Sequence, residues 1–147
     1  MRKVPSGWRV RVKFQKRSAR ELLTPQQFDA PHPNPLHAYG MTYGEHRLAL
    51  EFDLEQHRQL QAECNRVGIG YACSVWDVTS AREIASLQPE YIKVPSASNL
   101  DFELLEFLAD EFLGEIHLSF GMTTRDEEDQ IVDFFTKKKR AGDLVLY

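Results

Sequence analysis

The sequence predicts an α/β fold built on a parallel β-sheet. Short apolar runs bounded by Gly, Pro or polar residues recur along the chain, and helical patterns fill most of the gaps between them. Strand followed by helix followed by strand demands right-handed crossovers, which lay consecutive strands side by side in parallel. The first strand adds a strict two-residue alternation of polar and apolar side chains.

That first run is Val10-Arg11-Val12-Lys13-Phe14-Gln15, with Arg11, Lys13 and Gln15 on one face and Val10, Val12 and Phe14 on the other. Residues 16–52 read as a long irregular region. Its centre, Ala30-Pro31-His32-Pro33-Asn34-Pro35-Leu36-His37, is barred from regular helix by its three prolines. Loops of this length inside compact domains are often functional. The region closes on Tyr39-Gly40-Met41-Thr42-Tyr43-Gly44-Glu45-His46-Arg47, a helix entry with Glu45 near its N-terminus.

A helix over 53–67 starts at an Asp53 cap, with Gln56 three residues on, and stops at Gly68. A strand over 70–76 follows. Ser80-Ala81-Arg82-Glu83 reads as a capping box opening a helix over 80–87. The third strand is Tyr91-Ile92-Lys93-Val94-Pro95-Ser96. Leu104, Leu105, Phe107 and Leu108 mark an amphipathic helix over 102–112, before a strand over 115–121.

The last helix, over 125–141, carries Asp126, Glu127, Glu128 and Asp129 at its start and Lys137, Lys138, Lys139 and Arg140 at its end. That arrangement complements the helix dipole by a few tenths of a kcal/mol per charge. The basic cluster therefore reads as a helix end rather than a phosphate patch. A final strand is predicted over 143–147.

Two architectures satisfy this order, an open doubly wound sheet and a closed (β/α) barrel. No Gly-rich phosphate loop follows any strand, which weakens the dinucleotide version of the open sheet. A barrel accepts the first strand, with polar groups lining its mouth and aliphatics meeting the helices.

The chain has 147 residues, 42% of them hydrophobic, and a net charge of −4. This suits one domain with a real core and announces neither an acidic nor a basic partner. No stretch reaches the length of a membrane span. Cys64 and Cys73 lack metal-like spacing and read as reduced core thiols, consistent with cytosol. Arg2, Lys3, Arg9, Arg11, Lys13, Lys16, Arg17 and Arg20 precede the first acid, Glu21. Pro5 and Gly7 interrupt any amphipathic presequence helix there, and the run passes straight into a strand, so neither targeting nor nucleic acid is favoured.

The chemistry points to Lys13 and Lys93, each inside a run that otherwise reads as buried strand. A buried ammonium loses hydration worth several kcal/mol unless an opposite charge replaces it. Two of them about 8 Å apart repel by roughly 2 kcal/mol at an effective dielectric near 20. Neither strand offers its own carboxylate, so an anionic substrate is the expected partner. His32 and His37 are candidate metal ligands, without a fixed third ligand. His57 is read as solvated on the polar side of its helix, and His117 as a satisfied core histidine. Nucleophile-elbow, CxxC and HExxH motifs are all absent from the sequence.

Five segments in order carry a resemblance: Val12-Lys13-Phe14-Gln15-Lys16-Arg17, Thr42-Tyr43-Gly44-Glu45-His46-Arg47, Ser74-Val75-Trp76-Asp77, Ile92-Lys93-Val94-Pro95-Ser96-Ala97-Ser98-Asn99 and Leu118-Ser119-Phe120-Gly121-Met122-Thr123. Together they resemble the sialic acid synthase family, which includes N-acetylneuraminate synthase and its legionaminate and pseudaminate relatives. The resemblance implies a TIM (β/α)8 barrel that condenses phosphoenolpyruvate with N-acetylmannosamine or a related N-acyl sugar. The products are a nine-carbon 2-keto sugar acid and phosphate. It implies a divalent metal, Mn or Mg, that polarises the sugar aldehyde, a contribution of several kcal/mol.

Carried over, Lys13 and Lys93 resemble the cations that hold the phosphoenolpyruvate carboxylate and phosphate, with Gln15, Ser74 and Ser96 as further contacts. Asn34 resembles a loop asparagine that touches the sugar, and Ser98 stands where some members use a sugar-binding glutamate. The resemblance further implies that residues 1–147 form one incomplete barrel domain of about five parallel strands, family strands two to six. The first strand, the last strands with the metal-binding histidines, and a C-terminal antifreeze-like domain are expected to be absent. The intact enzyme would be a cytoplasmic homodimer using small-molecule substrates, with no nucleic acid and no membrane. The fragment alone is expected to be inactive, and a non-catalytic α/β module binding a phosphorylated ligand or a protein is the alternative.

Overall fold

The computed structural model describes residues 7–147, so Arg2, Lys3 and Pro5 of the basic N-terminal run lie outside the described residues. The chain runs β1 (Arg11–Lys16), α1 (Ala19–Leu22), α2 (Pro25–Asp29), α3 (Tyr43–Leu50), α4 (Leu54–Val67), β2 (Gly70–Val75) and α5 (Val78–Ala85). It continues with β3 (Tyr91–Val94), α6 (Phe102–Glu111), β4 (Glu115–Leu118), α7 (Arg125–Lys137) and β5 (Leu144–Leu146).

The five strands are all parallel and stand in the order β1-β2-β3-β4-β5. A doubly wound sheet must reverse its strand order at a switch point. This sheet does not, so successive right-handed crossovers place the helices on one face, as in an arc of a barrel. The apolar parity of each strand faces them: Cys73 and Val75, Ile92 and Val94, Ile116 and Leu118 join Ile84, Leu104, Leu105, Leu108, Ile131 and Phe135 in one core. Each large side chain buried there contributes about 1.5–3 kcal/mol. No helix among the described residues is long and apolar enough to cross a membrane.

Most predicted elements are found, with shifted ends. Asp53 caps α4 through a capping box with Gln56, and Gly68 ends it in the left-handed region at φ 74°. The capping box expected at Ser80 is not formed. Asp77 caps α5 instead, accepting from the Ser80 backbone, and Ser80 is buried inside the helix. Helix α7 ends at Lys137, short of 141, after a Thr124–Glu127 capping box. Beyond it Lys138 pairs with Glu106 and Asp110 at 2.8 Å, and Arg140 donates to the carbonyls of Ala109, Phe112 and Gly114. The basic cluster is thus a structural helix end.

The region 17–52 is more ordered than its prolines suggest. It holds α1, α2 and α3, each short, and a single 3-10 turn, Pro35–His37, in its proline-rich centre. Thr42 and Glu45 form the capping box of α3.

Two further expectations are overturned. His57 is not solvated: it is fully buried, with Nδ1 2.8 Å from the Tyr71 hydroxyl and its ring edge-on to Phe14 and Phe52. Aromatic groups from β1, β2 and the α3–α4 link converge on an otherwise polar helix face. Lys13 is not in a buried strand position either. Its β1 face is exposed while Val12 and Phe14 turn to the helices, because the helices cover one side of the sheet only.

Candidate functional site

The register assembles the site. Gln15 lies beside Ser74, Ser74 beside Lys93, and Lys93 beside His117, so four strands contribute one row across the face away from the helices. Lys13 sits one pleat step earlier on β1 and donates from Nζ to the Ser74 Oγ at 2.8 Å. The row lies in the C-terminal half of the strands, the end at which barrel enzymes bind substrates.

The electrostatics favour an anion. Lys93 is half-buried, and burial first, then the nearby Lys13 charge, push its pKa below the ordinary lysine value. Among the described residues neither lysine makes an ion pair. A cleft of about 350 Å³ opens beside Lys13, lined by Phe14, Gln15, Arg17, Leu50, Glu51 and Phe52. Its one carboxylate, Glu51, is already taken by Arg17 at 2.6 Å, with both side chains largely buried. Arg17 in turn lies over the Trp76 ring at 5.7 Å. The acid therefore does not compete for the lysines. A larger hollow of about 520 Å³, lined by Trp8, Arg9, Gly70 and Glu90, opens at the opposite ends of the strands, away from both lysines.

The remaining sequence candidates divide. Ser96 follows β3 and faces the loop after β4: a Cβ on Gly121 would come within 2.5 Å of its hydroxyl oxygen. Asn99 pins that loop by donating to the carbonyls of Ser119 and Gly121 at 2.9 and 3.3 Å. Ser98 is buried, and its hydroxyl donates to the Trp76 carbonyl at 2.9 Å, which ties the end of β3 to the end of β2. Asn34 is exposed in the long loop ahead of its 3-10 turn, and none of its hydrogen bonds joins it to the lysine row.

The sequence reading missed a polar cluster on the same face. His117 is 9% exposed, with Nδ1 2.7 Å from the Tyr147 hydroxyl and Nε2 3.3 Å from Glu115. Tyr91 stacks on the His117 ring, centroids 3.9 Å apart. The signal available was parity: Tyr91, Lys93, Glu115 and His117 share one face once β3 and β4 pair.

No resident metal fits these residues. Among the described residues no group of three or more His, Cys, Asp or Glu side chains converges. His32 meets His46 rather than His37, with centroids 4.2 Å apart. His46 Nδ1 accepts from the Tyr39 N–H at 3.2 Å, which holds its proton on Nε2.

The chain is similar to known proteins in sequence and in fold. A sequence profile described as the NeuB family matches residues 9–147. N-acetylneuraminate-9-phosphate synthase of Drosophila melanogaster is 35% identical over 121 residues, covering 82% of this chain and 32% of that protein. The Homo sapiens protein of the same name is 31% identical over 120 residues, covering 82% of this chain and 33% of its own. The chain thus spans about a third of the length of these relatives. A crystal structure of N-acetylneuraminic acid synthetase from Leptospira borgpetersenii, in complex with citrate, superposes with a TM-score of 0.69 at 22% identity. It covers 91% of this chain and 41% of the other, and matches it in fold.

Proposed function

The chain belongs to the NeuB family, and from that premise we propose that its open sheet face binds the carboxylate and phosphate of phosphoenolpyruvate. Lys13 and Lys93 supply the charge, Ser74, Gln15 and Ser96 the polar contacts, and Asn34 and Ser98 border the sugar side. The observation that carries this reading is the Gln15–Ser74–Lys93 row, with the Lys13 ammonium reaching into it at Ser74. A dianion there offsets both the desolvation of Lys93 and its repulsion from Lys13.

In the whole protein this site serves the condensation of phosphoenolpyruvate with N-acetylmannosamine or a related N-acyl sugar. A nine-carbon 2-keto sugar acid and phosphate are released, within carbohydrate biosynthesis in the cytoplasm and in a homodimer. Residues 7–147 are one part of that barrel, family strands two to six. Held by two cations, the enol ester presents C3 to the aldehyde carbon in one orientation, and positioning of this kind accounts for much of such a barrier. The chain alone binds the anion and does not condense it, because no group of three or more metal-ligating side chains converges among its described residues.

Isothermal titration of the chain with phosphoenolpyruvate tests the site. Binding that Lys93→Ala and Lys13→Ala each weaken at least tenfold is expected, and binding indifferent to both substitutions overturns it. Phosphate release from phosphoenolpyruvate, N-acetylmannosamine and manganese tests the second part. Robust turnover by the chain alone overturns the claim of inactivity.

A further inference from the structure

We propose that His117 is a proton-dependent third cation of the anion site, whose protonation turns the Tyr147 hydroxyl from the imidazole toward a bound anion. The inference rests on the reading of the lysine row as an anion site and adds a residue and a pH dependence to it.

Hydrogen-bond capacity fixes the tautomer of His117. The His117 ring makes two contacts: Nδ1 at 2.7 Å to the Tyr147 hydroxyl and Nε2 at 3.3 Å to Glu115. Glu115 can only accept, so the neutral ring carries its proton on Nε2 and its Nδ1 accepts from the phenol. Tyr147 then spends its only proton on His117. A second proton, on Nδ1, reverses that bond. The ring donates to the phenol oxygen, and the phenolic proton is freed to donate elsewhere.

Position gives this exchange a consequence. His117 is the β4 neighbour of Lys93 in the same row. The Tyr147 backbone is fixed by two further bonds, its N–H to Leu118 and its carbonyl to the Phe120 N–H, at 3.0 and 2.9 Å. Protonation therefore adds a positive charge and a hydroxyl donor beside a lysine that lacks a counter-ion among the described residues. The charged and titratable groups facing His117 are Tyr91 and Lys93 on β3, Glu115 on its own strand and Tyr147 at the end of β5. Arg11 reaches the cluster over the Tyr91 ring at 5.9 Å and is itself paired with Glu90. A dianion held at Lys93 stands beside the ring and attracts its charged form, which couples anion binding to protonation.

Linkage makes the claim testable without turnover. If protonation tightens anion binding, the anion must favour protonation by the same factor. The probe is sulfate, which stays doubly charged from pH 5.5 to 8, titrated into the full chain at constant ionic strength. Binding about fivefold tighter at pH 5.5 than at pH 8 is expected, near the lower end of usual coupling factors. In the ¹⁵N spectrum of the wild-type imidazoles, sulfate should displace the His117 protonation curve toward higher pH by the same fivefold. His117→Asn should remove the pH dependence, and Tyr147→Phe should keep only part of the gain. The His117 curve is read in the wild-type chain, so the test stands even where a variant fails to fold. Sulfate binding that is indifferent to pH, or a pH dependence that survives in His117→Asn, overturns the inference and leaves the lysine site standing. Absence of sulfate binding at every pH overturns both.

Discussion

The Lys13 ammonium donates to the Ser74 hydroxyl oxygen at 2.8 Å across the β1–β2 pair. An ammonium cannot accept, so the hydroxyl's own proton points elsewhere and the pair presents two donors side by side. Ser74→Ala removes one neutral hydrogen bond to a bound anion and should weaken phosphoenolpyruvate about fivefold, whereas Ser74→Thr should keep the affinity. Calorimetric titration of the two variants against wild type checks this. Equal losses in both would mean that packing around the strand, and not the hydroxyl, sets the affinity.

Lys93→Met should abolish anion binding without destabilising the fold, since an apolar side chain removes a partly desolvated charge that has no carboxylate partner among the described residues. The pH dependence has a defined sign. Burial and Lys13 depress the Lys93 pKa in the folded state below 10.5, so between the two values the unfolded chain holds more protons. Wild-type stability should therefore rise across that alkaline window relative to Lys93→Met. Urea melts of both proteins from pH 8 to pH 10 measure the difference.

His57 sets an acid limit on the fold. Burial, then the Lys16 charge, lowers its pKa below 6.5 in the folded state, with Glu83 and Asp53 acting in the opposite direction. The unfolded chain takes up this proton near 6.5, so stability is complete above that pH. It falls as pH drops toward the depressed folded value, by up to about 1.4 kcal/mol per pH unit. His57→Gln should flatten the melting temperature between pH 7 and pH 5.5, a comparison made by calorimetric scans of both proteins.

How far the sequence carried the reading depends on whether a signal was local. Alternation in β1, the Asp53–Gly68 bounds of α4 and the acidic start of α7 need only neighbouring residues, and each is found in place. Strand order and the row of Gln15, Ser74, Lys93 and His117 depend on register between distant segments. The polar neighbours of His57 suggested solvent, while the rings that bury it come from β1, β2 and the α3–α4 link. Lys13 misled in the opposite direction. A strand in an apolar context has two faces, and only the helices decide which of them is covered.

Gly44 shows how tightly the long loop is folded. It is buried in α3, and a Cβ there would stand 2.3 Å from the Phe28 ring, which Arg20 overlies at 4.6 Å. Replacing a helical glycine by alanine ordinarily gains about 1 kcal/mol. Here overpacking should dominate, and Gly44→Ala should cost about 1–3 kcal/mol and quicken proteolysis within 17–52. Gly142 has open space at the same position and serves as the control, since its alanine variant should melt as wild type does.

Arg140 explains why the basic end of α7 is not a second anion site. Its Nη1 donates to the Ala109 and Phe112 carbonyls at 2.8 and 2.7 Å, its Nη2 to Gly114 at 3.0 Å, and its Nε to Asp143 at 2.6 Å. These bonds satisfy the last carbonyls of α6 and clamp the turn into β4, a task that needs a planar fork. Arg140→Lys keeps the charge and loses the fork, so it should destabilise by about 2 kcal/mol. Its sulfate affinity should match wild type, because the guanidinium faces carbonyls rather than the lysine row. A urea melt beside a sulfate titration of the same variant separates the two roles. An affinity loss with unchanged stability would reassign the cluster to anion binding.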